Sequence, residues 1–314
     1  MPLDPVLEPV LAGLPPFPDH IEDWDRWRKE ETVNASAVAA QVAEPAPEGA
    51  TKQELTIAVD GGRVDVHIYT PDKPGPLPGH LYLHGGGWVA GSIHNAFIDI
   101  QMRERAVGAG CVVVAVDYRK APDHPFPTGL NDSYSALLWT VGNAEQLGID
   151  LARFSVGGGS AGANLAAALC LKARDENGPA IGLQLLEVPA LDLTLKSPSV
   201  VEMGQDYGLT TSDIRRLLGY YLMDPGEAEQ PYASPLLAPD LAGLPTAHIM
   251  SAEFDPLRDD GARYADRLDE AGVSSTFSLQ RGQIHHSPAL TAVLPAARAW
   301  RAETLDVLSA FHRP

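Results

Sequence analysis

The sequence predicts an α/β fold, a mostly parallel sheet with helices on both faces and a helical cap. Three observations carry that expectation. From about residue 78 onward, short apolar runs alternate with helical stretches, the pattern of parallel strands buried on both sides. Glycine-rich loops follow two of those runs, at His84–Trp88 and Gly157–Gly162. One stretch, 193–240, breaks the rhythm and reads as an insertion. The composition suits such a fold: of 314 residues, 45% are hydrophobic and 20% charged, which supports one large core.

Taken in order, residues 1–50 are rich in Pro and Ala and hold an amphipathic stretch in which Trp24 and Trp27 share a helical face. That stripe is expected to pack against the body of the protein, where it could cover an active site. Glu54–Asp60 alternates, Gly61-Gly62 turns, and Arg63–Thr70 alternates again, an antiparallel hairpin. His80–Leu83 and Cys111–Asp117 read as buried strands, with helices near 95–108 and 129–146 after them. Arg153–Gly157 is a strand and Ala161–Arg174 an Ala/Leu helix. Ile181–Val188, Thr246–Ser251 and Ser275–Leu279 complete the strands, with helices near 258–272 and 295–311. The insertion carries Tyr207, Tyr220, Tyr221 and Met223 around a helical stretch. The expected organisation is therefore a cap segment at 1–50, a core at 51–192, a cap insertion at 193–240 and the rest of the core at 241–314.

Charge and cysteine usage narrow the partners. A formal net charge of −18, from 41 acidic against 23 basic residues, repels phosphate backbones and anionic membranes, so neither nucleic acid nor a membrane is an expected partner. Cys111 and Cys170 each sit in an apolar run and are expected to be buried and reduced; their separation does not suit a thiolate zinc site. The N-terminus has no basic region leading into an apolar one, and no segment reaches 18 apolar residues, so a cytoplasmic setting is expected. No cofactor and no metal is called for.

The segment Phe154–Leu165 can be parsed in two ways. Gly157, Gly159 and Gly162 match a dinucleotide-binding fingerprint, which also wants an acidic residue ending the next strand; Asp175 and Glu176 instead fall in the loop before it. Gly158-x-Ser160-x-Gly162 matches a nucleophile elbow, in which a sharp strand-to-helix turn presents the serine hydroxyl. A third reading is a plain glycine-rich turn. The upstream loop His84-Gly85-Gly86-Gly87-Trp88 favours the elbow. Acyl transfer develops an oxyanion that needs backbone N–H donors, and glycines let the main chain approach the substrate; the run of three glycines after a histidine has the form of a known oxyanion loop. His84 reads as an organiser of that loop.

An acid and a base should follow the serine, each after a strand. Asp255 is the first carboxylate suited to the loop after Thr246–Ser251, while Asp259 and Asp260 are expected to face solvent or charge the N-terminal turn of the next helix. The base lies in Gly282-Gln283-Ile284-His285-His286-Ser287, where His285 is preferred and His286 is the alternative. In this scheme His285 takes the proton of Ser160, and Asp255 orients the ring.

Together these stretches resemble the bacterial hormone-sensitive-lipase-like esterases of the α/β-hydrolase superfamily. The resemblance spans roughly 78–312 and rests on His84–Trp88, Asp117–Pro122, Phe126-Pro127, Gly158–Gly162, Ser234-Pro235-Leu236, Asp255–Asp259 and Gly282-x-x-His285. It implies Ser160, Asp255 and His285 as the triad and the N–H groups of Gly86, Gly87 and Ala161 as the oxyanion hole. It also implies a cap built from the N-terminal segment and the insertion, structural roles for Asp117-Tyr118-Arg119 and Asp132, and a homodimer through the sheet edge. The sequence departs from the family at Gly159, where Asp is common before the serine, and at His285-His286-Ser287, where His-Gly-Phe is common.

The expected function is hydrolysis of short-chain or small acyl esters through an acyl-enzyme, with a small-molecule ester as substrate. A catalytically silent ligand-binding protein on the same fold and a nicotinamide-binding oxidoreductase are the competing readings.

Overall fold

The computed structural model describes residues 2–313. Two helices precede the sheet, α1 (Leu7–Gly13) and α2 (Trp24–Val42). Asp23 caps α2 by accepting the Arg26 N–H at 3.0 Å, which satisfies one of the open donors at a helix start. The Trp24/Trp27 stripe is thus the first turn of a longer helix that continues through the Ala-rich run. Leu7 is the single fully buried side chain of α1; so short an apolar signal left this helix unanticipated.

The strands are β1 (Ala50–Val59), β2 (Gly62–Pro71), β3 (Leu77–Leu83), β4 (Val112–Asp117), β5 (Ile149–Gly159), β6 (Leu183–Glu187), β7 (Thr246–Phe254) and β8 (Ser275–Ile284). The helices joining them are α3 (Ala96–Ala109), α4 (Thr128–Gly142), α5 (Ala144–Leu147), α6 (Ala161–Asp175), α7 (Ser199–Glu202), α8 (Thr211–Tyr221), α9 (Arg258–Glu270) and α10 (Pro295–Phe311). They form one sheet in the order β1-β2-β4-β3-β5-β6-β7-β8. β2 runs antiparallel to both its neighbours and every other pairing is parallel.

β4 shows why the parallel strands read as unbroken apolar runs. Val112, Val114 and Val116 enter the core that holds α4, α6 and α9, whereas Val113 and Ala115 enter the opposite core with Met102 and Ala106 of α3. A strand covered on both faces has no polar side to alternate with. α6 is the central helix, buried along nearly its whole length; its alanines let it lie close to β3, β5 and β6.

The expected elements differ from the observed ones mainly at their ends. The helix expected over 129–146 is two, broken at Asn143, whose side-chain amide donates to the Trp139 carbonyl at 2.7 Å. The last strand runs past Leu279 to Ile284, because Gly282 (φ +76°) bends it without ending its pairing to Phe254. Between β6 and β7 the chain leaves the sheet to form α7, α8 and short 3-10 turns. Among the described residues no helix is long and apolar enough to cross a membrane.

From β3 the chain crosses to one side to build β4, then returns past β3 to build β5 on the other. Connections that diverge in this way open a crevice at the C-terminal ends of the strands. The glycine loop after β3 and the Ser160 turn after β5 both lie there.

Candidate active site

Ser160 stands between β5 and α6 with φ 56° and ψ −119°. An L-residue in this region is strained by about 1–3 kcal/mol and persists only where its surroundings enforce it. The flanking glycines make the turn possible. A Cβ on Gly158 would lie 2.4 Å from the Gly162 backbone, and one on Gly162 would lie 2.0 Å from the Leu83 carbonyl oxygen. The Ser160 N–H donates to the Glu187 carbonyl at 2.8 Å, and the Ser160 carbonyl accepts the Asn164 N–H at 3.0 Å. Of the glycines that suggested a dinucleotide fingerprint, Gly162 thus serves the sharpness of an elbow, together with Gly158.

Ser160 Oγ lies 2.9 Å from His285 Nε2, and His285 Nδ1 lies 2.7 Å from Asp255 Oδ2. A carboxylate only accepts, so Nδ1 carries the imidazole proton and Nε2 is left to accept from the serine hydroxyl. The other Asp255 oxygen accepts the Leu257 N–H at 2.9 Å, and Asp255 is fully buried. β7 ends just before Asp255 and β8 just before His285, so two paired strands deliver the acid and the imidazole to the same edge.

The glycine loop closes the other side. A Cβ on Gly85 would approach Ser160 Cβ to 3.5 Å and the Gly159 carbonyl to 2.9 Å, so this loop packs directly against the elbow. Gly86 (φ 124°) and Gly87 (φ 60°) occupy backbone conformations that favour glycine. Among the described residues no protein acceptor takes the N–H of Gly86, Gly87 or Ala161. Ala161 is the first residue of α6, whose N-terminal N–H groups and dipole favour negative charge.

His84 organises the loop, as the sequence suggested. Its ring stacks on Tyr118 with centroids 4.4 Å apart, Nδ1 is 2.7 Å from the Gly85 carbonyl, and Nε2 is 3.2 Å from Asp117. Burial lowers the His84 pKa. Burial opposes ionisation of Asp117, yet Lys120 and His84 outweigh it and hold that carboxyl well below the usual range. Asp132 is fully buried and takes the Arg119 guanidinium at 2.7 Å and the Arg119 N–H at 2.9 Å.

Asp259 and Asp260 both lie in the first turn of α9, one of the two places expected for them, but the solvent-facing alternative fails for Asp260. Asp260 is buried, accepts the N–H groups of Leu191 and Asp192 at 2.9 Å each, and bonds Ser197 Oγ at 2.5 Å. Asp259 is half-buried and accepts the Ser199 N–H at 2.9 Å. Both therefore tie the start of the segment after β6 to the loop that carries Asp255. The sequence reading missed the burial of Asp260 because burial of an acid is visible only in three dimensions.

His286 is exposed and meets the His285 ring edge to face at 5.4 Å. Its ring lies near Gly208, which Leu11 and Leu14 also approach. Above the glycine loop, Leu217 of α8 fills the space a Cβ on Gly87 would need. Arg216 donates to the carbonyls of Phe17 and Pro18 at 2.9 Å each, and Trp24 meets Tyr220 edge to face at 4.7 Å. The N-terminal segment and α8 thus meet over the serine.

Asn164 went unremarked in the sequence. Its side chain accepts from Trp88 Nε1 at 3.2 Å and donates to the Ala190 and Ala233 carbonyls at 2.8 Å each, joining elbow helix, glycine loop and insertion. A lone amide in an Ala/Leu helix, one turn after the serine, was the available signal. Cys111 and Cys170 are free and buried, and burial pushes the Cys111 thiol up to about 12.

Fold and site define an α/β-hydrolase: a serine on a strand-to-helix turn, an imidazole and a carboxylate on later strands, and open amides beside them. The comparisons with known proteins narrow this. A family model described as the alpha/beta hydrolase fold matches residues 80–288. The chain is 41% identical over 250 residues to the carboxylesterase NlhH of Mycobacterium tuberculosis H37Rv, covering 78% of each chain. It is 35% identical over 307 residues to the esterase LipI of the same strain, covering 94% of this chain and 91% of that one. Among solved structures, the hyperthermophilic esterase of the archaeon Pyrobaculum calidifontis superposes with a TM-score of 0.90 at 34% identity, over 99% of both chains. The chain belongs to the hormone-sensitive-lipase-like esterase family of α/β-hydrolases.

Proposed function

We propose that Ser160 is the nucleophile, His285 the general base and Asp255 its orienting acid in a serine carboxylesterase acting on short-chain or small acyl esters. Membership of an esterase family makes the chain a carboxylic ester hydrolase. The observation that carries the residue roles is the unbroken relay from Asp255 through His285 to Ser160, at 2.7 and 2.9 Å. In the first half-reaction Ser160 Oγ attacks the ester carbonyl while His285 Nε2 takes the hydroxyl proton. The oxyanion then faces the N–H groups of Gly86, Gly87 and Ala161, and the alcohol leaves with the proton held on Nε2. Water repeats the sequence on the acyl-enzyme, releasing the acid and regenerating Ser160.

The cap in this reading is the N-terminal segment together with 193–240. Leu217 over Gly87 supports a low ceiling and hence a preference for small acyl groups. p-Nitrophenyl acetate and butyrate are the expected substrates, and a fluorophosphonate probe is expected to label Ser160 alone. Ser160→Ala should abolish both activities. Labelling that persists on another serine overturns the nucleophile, and a folded protein inert to a broad ester panel favours a silent binding protein instead. A homodimer is supported by the open edge of β8, where Phe277 is 38% exposed; light scattering tests it. The free, buried Cys111 and Cys170 are compatible with a cytoplasmic setting, which cell fractionation tests.

A further inference from the structure

Gly159 stands where this family commonly carries an aspartate, and the space beside it is open: a Cβ there would meet only Tyr82 Oη, at 3.7 Å. Across the sheet, the register partner of Gly159 is Glu187, the last residue of β6. Its side chain is buried and forms an ion pair with the buried guanidinium of Arg105 from α3. The same carboxylate accepts from Trp300 Nε1 at 3.2 Å and Thr304 Oγ1 at 3.4 Å, both on α10. Arg105 in turn lies 4.5 Å over the Tyr82 ring. A carboxylate at position 159 would therefore enter the neighbourhood of Tyr82 and Arg105, where Glu187 already supplies one.

The main chain of Glu187 is part of the elbow, since its carbonyl accepts the Ser160 N–H at 2.8 Å. Immediately after it, Val188 has φ 43°, a region that a β-branched residue enters only under constraint. Two anchors enforce that bend. The Val188 N–H donates to the Met250 carbonyl at 2.7 Å, and the Glu187 carboxylate is held by three side chains from two helices.

We infer that Glu187 is a positioning residue for the nucleophile: its carboxylate, gripped by Arg105, Trp300 and Thr304, fixes the carbonyl on which the Ser160 turn hangs. It takes over from β6 the place of the acid that the family's elbow carries before its serine. The inference rests on Ser160 being the nucleophile.

The test is Glu187→Ala and Glu187→Gln, each assayed for kcat, KM, the rate of fluorophosphonate labelling and the melting temperature. A serine displaced by about 1 Å loses rate by about 10²-fold. The alanine variant is expected to lose kcat on that scale with KM within about twofold, and labelling should slow in the same ratio. Glutamine keeps an oxygen for Trp300 and Thr304 and should fall between. Adding Gly159→Asp to Glu187→Ala should recover at least several-fold of the lost kcat by returning a carboxylate to the Tyr82–Arg105 neighbourhood. If the single variants fail to fold because Arg105 is left uncompensated, the pair Arg105→Gln/Glu187→Gln removes that charge and is expected to show the same loss of kcat and labelling. A folded variant of either kind with a lowered melting temperature but unchanged kcat and labelling makes Glu187 purely structural and ends the proposal. Loss of Ser160 as the labelled residue in the parent protein defeats the underlying reading instead.

Discussion

At the scale of single residues, the adjacent imidazoles of His285 and His286 are separated by their partners. Only His285 touches a carboxylate and the serine, whereas His286 lies beside Gly208. His285→Ala is accordingly expected to lower kcat by about 10⁴–10⁶-fold, the scale on which loss of a triad member acts, while His286→Ala should stay within about tenfold and chiefly alter KM across an ester series. Steady-state kinetics on p-nitrophenyl butyrate distinguish them, and equal losses would refute the assignment. Asp255→Asn should cost about 10⁴-fold, because an amide can hold the ring in the wrong tautomer. Since a protonated imidazole cannot accept from Ser160, activity must fall on acidification; a flat pH profile would remove the base. These residues were legible in the sequence because each lies just after a strand and belongs to a short run of unusual composition. Asn164, Glu187 and Asp260 were not, since what a buried polar side chain bonds to shows only once its neighbours in space are known.

Among the elements, the elbow is governed by contact between β3, β5 and α6. Gly162→Ala would drive a Cβ to 2.0 Å from the Leu83 carbonyl, and backbone cannot yield as a side chain tip does. That variant should fail to give folded protein or melt many degrees lower. Gly159→Ala meets only the Tyr82 hydroxyl at 3.7 Å and should melt close to the parent. Thermal denaturation of the two separates crowding at the turn from a general intolerance of change. The strands were legible because burial on both faces writes an apolar run into the sequence. Their ends were not: β5 extends to Gly159 and β8 through Gly282, where pairing with a neighbour overrides the local signal of glycine. The break at Asn143 has a similar origin, a side-chain bond to the preceding turn that periodicity does not report.

For the whole molecule, buried histidines set the response to acid. Burial lowers His67 and His312 from 6.5 to about 4, and it lowers His80 well below 6.5. Each binds a proton in the unfolded chain before it does so in the folded one, so stability is lost as pH falls from about 6.5 toward 4. The two quantified groups contribute roughly 3 kcal/mol each at most. Asp260 works in the opposite direction. Burial pushes its carboxyl up to about 7, so the folded state holds a proton that the unfolded state releases above 3.8, and stability rises as pH falls through that window. Burial raises Glu31 and Glu104 as well, but it also lowers His84 and His248, so the histidines outweigh the carboxyls, and the bonds Asp260 accepts from Leu191, Asp192 and Ser197 favour its ionised form. The urea midpoint should therefore drop between pH 7 and pH 4.5. A midpoint that is constant or rises would show that these imidazoles are not held neutral. The general architecture at this scale followed from the order of elements, but the reversal of order at β3, which opens the crevice, depends on pairing between distant strands.

The attachment of the N-terminal segment has a further consequence. Arg28 of α2 grips the Val89 and Ala121 carbonyls and Asp123, and Glu44 holds Arg301, so α2 is moored independently of whatever precedes it. Residues ahead of Trp24 attach at two places: Leu7 packs with Ile284, the residue before His285, and the Asp4 N–H donates to the Gly282 carbonyl at 3.0 Å, while Arg216 of α8 holds the Phe17 and Pro18 carbonyls. A change in the first dozen codons is therefore felt at the strand end that delivers His285, whereas one at Phe17 or Pro18 is felt first at α8.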